Sequence, residues 1–271
     1  MAEGPSGVDG DGTTFTPASD EEIVAVLNHP DRAQLLYQVL EIVRDECYIR
    51  NGVTVEPGSV VLDVGANAGV SAAFFALRCG AVVHSFEAAR PVFEILEGVT
   101  ARLPGCFAHN FAVGRTDGSA EIAWYPHADA MSSLYADQAT DQAFLRSCLE
   151  NTNMPESDIA ARVADLDDVV RLDCELRRLS TLLEHFRIDH VSLLKIDVER
   201  AELDVLAGID PGDWPRIGQV VAEVHDEEDR LLQFTDILAD EGFEVIVEED
   251  AAMTGTGVVL VYATRPRTSS G

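Results

Sequence analysis

The sequence predicts an α/β fold, a mostly parallel sheet with helices on both faces and an antiparallel strand at the end. Three observations carry this expectation. From Val60 onward, strand-like and helix-like segments alternate. The strand-like runs are apolar at nearly every position, as strands covered on both faces are. The last two, "FEVIVEE" and "GVVLVYAT", are joined by a short loop, which makes them antiparallel.

The elements follow in order. "HPDRAQLLYQVLEIVRDECY" places Pro30 to open a helix, and Leu35, Leu36, Val39, Leu40 and Val43 recur at helical spacing. "SVVLDV" reads as a strand, "GVSAAFFALRC" as a helix, "AVVHSFE" as a strand, "RPVFEILEGVTARL" as a helix and "CFAHNFAV" as a strand. "RTDGSAEIAWYP" predicts a hairpin across Asp117-Gly118. Residues 126–173 are polar and acidic and interrupt the alternation; such an insertion reads as a substrate lid. The sheet resumes with "VSLLKID", helix "AELDVLAGI", strand "QVVAEVHD" and helix "EEDRLLQFTDILADEG", and ends in the antiparallel pair. The expected organisation is a disordered leader over 1–19, one domain over 20–264 with a helical cap at 20–58, and a tail over 265–271.

Composition narrows the partners. Acidic residues number 48 against 19 basic ones, a formal charge of -29. Nucleic acid and anionic membrane are therefore not expected, because phosphate binding needs basic clusters. Five scattered cysteines without a C-x-x-C pair make neither a disulfide framework nor a zinc cluster, and point to a reducing cytoplasm. The N-terminal stretch has no signal-peptide pattern, and no apolar run approaches membrane-spanning length.

The chemistry concentrates at strand ends. After the first strand comes Asp63-x-Gly65-x-Asn67-x-Gly69. No Gly-Lys-Ser/Thr follows, so this is not a P-loop. A dinucleotide turn needs glycines where Asn67 and Val70 stand. A tight turn under a ligand without a diphosphate remains, and an acid plus an amide suit a cationic amino-acid portion such as that of S-adenosylmethionine. Glu87 ends the second strand, where a carboxylate accepts both ribose hydroxyls, in NAD and S-adenosylmethionine sites alike. Asn110 is placed to bond an adenine, with Ala112 and Val113 against its face. In "LLKID", Lys195 and Asp197 share one face of a strand, either as a buried pair or as catalytic groups. Glu199 and Glu202 follow in a first helical turn, where acids suit the helix dipole. His225, at the next strand end, suits a general base, with Asp226 or Glu223 to orient it. A divalent cation bridging Asp197, Glu223 and His225 is conceivable, but no spacing demands a metal and none enters the expected site.

Taken together, "VVLDVGANAGVSAAFFA", "SFEAARPVFEIL", "HNFAVG", "STLLEHFRIDHVSLLKIDVERAELDVLAGI" and "VVAEVHD" resemble the FkbM-type family of S-adenosylmethionine-dependent O-methyltransferases. The resemblance spans about Tyr48 to Asp226 and implies the class I methyltransferase (Rossmann-like) sheet, seven strands in order 3-2-1-4-5-7-6 with the last antiparallel. It implies S-adenosylmethionine as cofactor, held by Tyr48, Asp63, Gly65, Asn67, Gly69, Ser71, Glu87, Asn110, Ala112 and Val113. It also implies transfer to a hydroxyl of a small molecule, a polyketide, peptide or sugar intermediate, with His127, Met131, Ser132 and Ser133 toward the substrate. Where the family has glycine this chain has Arg200, which either meets an anionic group of the substrate or opens a helix at the surface. Two other readings stay open: a nicotinamide-dependent oxidoreductase, disfavoured by Asn67 and Val70, and a non-catalytic nucleoside-binding subunit.

Overall fold

A computed structural model describes residues 15–152, 154–250 and 253–266. The chain begins with α1 (Asp20–Val26), capped by a reciprocal pair in which the Ser19 hydroxyl accepts from the Glu22 amide and the Glu22 carboxylate accepts from that of Ser19. The helix expected from Pro30 starts at Arg32 as α2 (Arg32–Gln38) and widens into a π-helical turn over Val39–Arg44. The sheet then starts with β1 (Val60–Val64), α3 (Val70–Leu77), β2 (Val82–Phe86), α4 (Arg90–Thr100) and β3 (Cys106–His109). Two further strands follow, β4 (Ala112–Val113) and β5 (Gly118–Trp124). The insertion folds as α5 (Gln138–Glu150) and α6 (Glu156–Ala164), leading into β6 (Val170–Arg177). The rest runs α7 (Leu179–Phe186), β7 (Leu193–Ile196), α8 (Glu202–Ala207), β8 (Gln219–His225), α9 (Arg230–Asp240), β9 (Glu244–Glu248) and β10 (Val258–Thr264).

Seven strands form one sheet in the order β3-β2-β1-β7-β8-β10-β9, and β10 runs antiparallel to both its neighbours. This is the order the resemblance implies. Alternation along β1 explains the two-sided burial. Leu62 and Val64 join the core beneath α7, α8 and α9, with Leu183, Val205 and Phe234. Val61 faces the opposite core, with Phe74 and Phe75 of α3 and Ile23 of α1.

Two expectations are corrected. "CFAHNFAV" is not one strand. It breaks after His109, where the Asn110 side chain donates to the Glu87 and Ala88 carbonyls (2.8 and 3.1 Å) and the chain leaves the large sheet. Nor does Asp117-Gly118 close a hairpin: β5 pairs antiparallel with β6, which also pairs parallel with β4, making a separate three-stranded sheet β4-β6-β5. The two-residue β4 is too short to hold β5, whereas β6 spans all of it, and Asp117 instead accepts from the Arg178 amide and the Thr181 hydroxyl (both 2.8 Å).

Of the leader expected over 1–19, residues 1–14 lie outside the described residues. Ala18 donates its amide to Leu77 O (2.9 Å) and Phe15 lies over Gly80, so ordered chain starts before residue 20 because apolar groups there cover the end of α3. At the other end 267–271 lie outside the described residues, while Arg265 donates to the carbonyls of Trp214, Ile217 and Glu241. Among the described residues no helix is long and apolar enough to cross a membrane.

Candidate active site

A cleft of about 580 Å³ opens at the carboxyl ends of β1, β2, β7 and β8, roofed by α2 and the insertion. Its floor is the bend after β1. Gly65 has φ 76°, and a Cβ there would stand 1.7 Å from the Asp197 carbonyl oxygen, so only glycine lets the bend pass under β7. Lys195 secures that bend from below: its ammonium donates to Gly65 O (2.6 Å) and pairs with Asp63 (3.1 Å) and Asp197 (3.5 Å) at 1% exposure. Burial alone would lower its pKa, but the two carboxylates outweigh that and raise it. Lys195 is not among the residues that line the cleft.

Glu87 projects into the cleft from the end of β2. Its Oε2 accepts from the Asn67 amide (3.0 Å) and its Oε1 from the Ala89 amide (2.8 Å). Burial lifts its pKa to about 7, partly offset by those amides. Asn67, at φ 45°, presents its side chain beside it, accepting from Gln38 Nε2 (3.1 Å) and donating to Asp129 Oδ1 (3.3 Å). Asp129 in turn holds His29 Nε2 at 2.7 Å, so the N-terminal cap and the insertion meet over this bend.

The remaining expected cofactor residues divide. Tyr48, Ala112 and Val113 line the cleft, and the Tyr48 hydroxyl donates to Asp197 Oδ2 (2.9 Å). Asp63, Ser71, Gly69 and Asn110 do not. Asp63 is fully buried and accepts from the Ser71 and Ser85 hydroxyls (2.8 and 3.1 Å), which leaves it no approach to a ligand ammonium. Gly69 caps α3 against Leu96, and Asn110 ties the loop after β2.

Of the residues expected toward the substrate, His127, Met131 and Ser132 line the cleft. Ser133 is buried, its hydroxyl donating to Glu199 O (2.5 Å). Arg200 neither reaches the cleft nor lies at the surface. It is 6% exposed, at φ 70°, and pairs with Asp141 of α5 (2.5 Å) and with Glu227 (2.8 Å), tying the insertion to the turn after β7. The glycine-to-arginine departure is absorbed by that buried pair.

His225 is corrected as well. It is 3% exposed, outside the cleft lining, with Nδ1 2.8 Å from Glu202 and Nε2 3.0 Å from Glu199. Burial lowers its pKa, but Glu199 and Glu202 more than compensate and raise it well above 6.5. Both ring nitrogens stand against carboxylates, and the ring does not line the cleft. Carboxylates face the cleft instead: Glu41, Asp197, Glu199 and Glu223. Burial, with Asp197 and Asp250 nearby, pushes Glu41 up to about 8. Burial and the charges of Asp197, Glu41 and Glu199 push Glu223 well up. Glu41 was missed, although Gln34, Gln38 and Glu41 recur at i, i+4 and i+7 and so mark a polar face turned to one side.

The sheet order and the cleft at its carboxyl ends define a class I methyltransferase fold. A sequence model of the methyltransferase FkbM domain matches residues 63–245. The chain belongs to the FkbM methyltransferase family. It is 39% identical over 86% of its length to 31-O-demethyl-FK506 methyltransferase FkbM of Streptomyces tacrolimicus, covering 90% of that protein. It is 31% identical to Methyltransferase 1 of Beauveria bassiana, over 77% of this chain and 80% of that one. AMB antimetabolite synthetase AmbE of Pseudomonas aeruginosa is 35% identical over 87% of this chain, which spans 12% of that much longer protein. Among solved structures, Methyltransferase FkbM from Methylobacillus flagellatus superposes with TM-score 0.51 at 15% identity, covering 90% of this chain and 57% of that one, a likeness of fold. Family membership sets the oxidoreductase reading aside.

Proposed function

We propose that this methyltransferase uses S-adenosylmethionine to methylate a hydroxyl group of a bulky, apolar small molecule, a natural-product intermediate. The observation that carries the reading is Glu87. Each of its oxygens accepts one amide, which leaves each a further acceptor position at the cleft, as a ribose diol needs. The bend fits the same cofactor: Asn67 occupies the place where a dinucleotide fold needs glycine to approach a diphosphate. Phe111, Ala112 and Val113 offer an apolar flank for the base.

When bound, S-adenosylmethionine supplies an electrophilic methyl carbon. The chain's part is to orient the acceptor, exclude water and take one proton. Asp197 suits that last task. Its Oδ2 is engaged by Tyr48 and Lys195, while Oδ1 has no hydrogen-bond partner among the described residues. This carboxylate would take the proton that the acceptor hydroxyl gives up. Leu36 and Leu40 stand 58% and 38% exposed on the cleft wall, a surface suited to an apolar acceptor. The acid-lined interior disfavours a polyanionic acceptor such as RNA. The name of the Streptomyces relative, an O-methyltransferase acting on a demethylated FK506, supports oxygen and a large natural product.

Calorimetry with S-adenosylhomocysteine tests the cofactor. Losing one charge-assisted acceptor amounts to about 1.5–3 kcal/mol, so Glu87→Gln should weaken binding by about ten- to a hundredfold. Unchanged affinity in a folded Glu87→Gln protein, or tighter binding of NAD than of S-adenosylhomocysteine by the parent, overturns the reading.

A further inference from the structure

We propose that Glu199, Glu223 and His225 form a binding site for a divalent transition-metal ion at the acceptor end of the cleft. One ligand atom from each lies within 4.8 Å of the others. Ligands about 2.1 Å from a cation stand about 3.0 Å apart when adjacent and about 4.2 Å when opposite. His225 Nε2 and Glu199 Oε2 are 3.0 Å apart, the adjacent spacing.

A second observation separates this group from an ordinary acidic patch. His225 is 3% exposed, and its Nε2 is sealed from solvent yet makes no hydrogen bond. The Glu199 oxygen is near enough but lies off the direction an N–H donor takes. The other ring nitrogen donates to Glu202 (2.8 Å), itself within 3.6 Å of Arg230. That is the arrangement that turns an imidazole's Nε2 toward a metal and fixes its tautomer. The Glu223 side chain has no hydrogen-bond or ion-pair partner among the described residues. Three acids thus meet at the cleft, Asp197, Glu199 and Glu223, where a cation relieves their repulsion.

One imidazole and two carboxylates suit Mn²⁺, Fe²⁺ or Zn²⁺ better than Ca²⁺ or Mg²⁺, which take oxygen ligands alone. Binding exchanges the Nε2 proton for the ion and releases it to solvent. Glu199 and Glu223 line the cleft, so the remaining coordination positions face the acceptor. An acceptor oxygen as ligand there rests on the proposed function; the metal site itself does not.

The test uses the full chain, stripped of metal by chelator, and Mn²⁺ alone as probe. Free Mn²⁺ is followed by electron paramagnetic resonance. The expected result is uptake of one equivalent, weakened at least tenfold by Glu223→Gln, while Glu94→Gln on an exposed helix face leaves it unchanged. The bound ion should also show nitrogen hyperfine coupling from His225. Parent and Glu223→Gln proteins with equal uptake, a Glu94→Gln protein that loses as much, or a bound ion without nitrogen coupling each overturn the proposal. Neither cofactor nor acceptor is present, so a failure here is separate from failure of the S-adenosylhomocysteine test.

Discussion

Gly65 and Gly69 sit in one bend, both at positive φ, yet they are not equivalent. A methyl at Gly69 meets the flexible end of Leu96 at 3.0 Å, whereas at Gly65 it collides with the backbone carbonyl of Asp197. Both alanine variants incur the left-handed cost of about 1–2 kcal/mol; only Gly65→Ala must also push β1 from β7. Gly65→Ala is therefore expected to lower the melting temperature clearly further than Gly69→Ala, at about 2–4 °C per kcal/mol for a chain of this size. Equal losses in calorimetric scans would refute that assignment. Residue types at strand ends marked part of the candidate site: Glu87, Asn67, Gly65 and Asp197 line the cleft. Lys195, Asp63 and Arg200 sit at equally suggestive positions but are consumed by internal partners. Pattern places a side chain at the end of a strand; it does not say which distant group satisfies it.

At the scale of elements, the apolar runs identified the strands of the large sheet, because its inner strands are buried on two faces. The small sheet escaped notice because β5 finds β6 only across the whole insertion, and nothing local encodes that pairing. The insertion is also pinned by charge. Asp141, 1% exposed, accepts from the Tyr125 hydroxyl (2.7 Å) and pairs with Arg200. Breaking such a buried pair from one side leaves a stranded charge, a loss of about 3–5 kcal/mol. Arg200→Met should show that loss in urea unfolding and become sensitive to proteolysis within α5. The double variant Arg200→Met, Asp141→Asn should recover most of it, whereas additive losses would mean that the two residues act independently.

Across the whole molecule, the raised carboxyl groups pull in one direction, while His84 and His109, lowered by burial, oppose them only as pH rises to about 6.5. Glu87 and Glu41, at about 7 and about 8, lie above the ordinary 4.5, and Glu223 and Glu199 are raised too. The folded state then holds protons that the unfolded chain has released, so stability falls as pH rises between about 4.5 and 8. His225 is also raised. Its contribution is complete below 6.5 and is lost as pH climbs through its folded value. Glu22, Asp117, Asp137 and Asp213 are lowered, but their contributions disappear only on acidification below the ordinary carboxylate range. The metal-free, cofactor-free protein should thus melt several degrees lower at pH 8.5 than at pH 6 in calorimetry; a flat or rising profile would contradict these assignments. The pairing of Trp124 with Val170 has a different consequence. The segment between them leaves and re-enters the fold at two facing positions of one ladder. Its length can therefore change without shifting either strand of the small sheet, as a cassette changes in its holder, while the Asp129–Asn67 and Asp141–Arg200 contacts mark the residues that any exchanged segment has to keep.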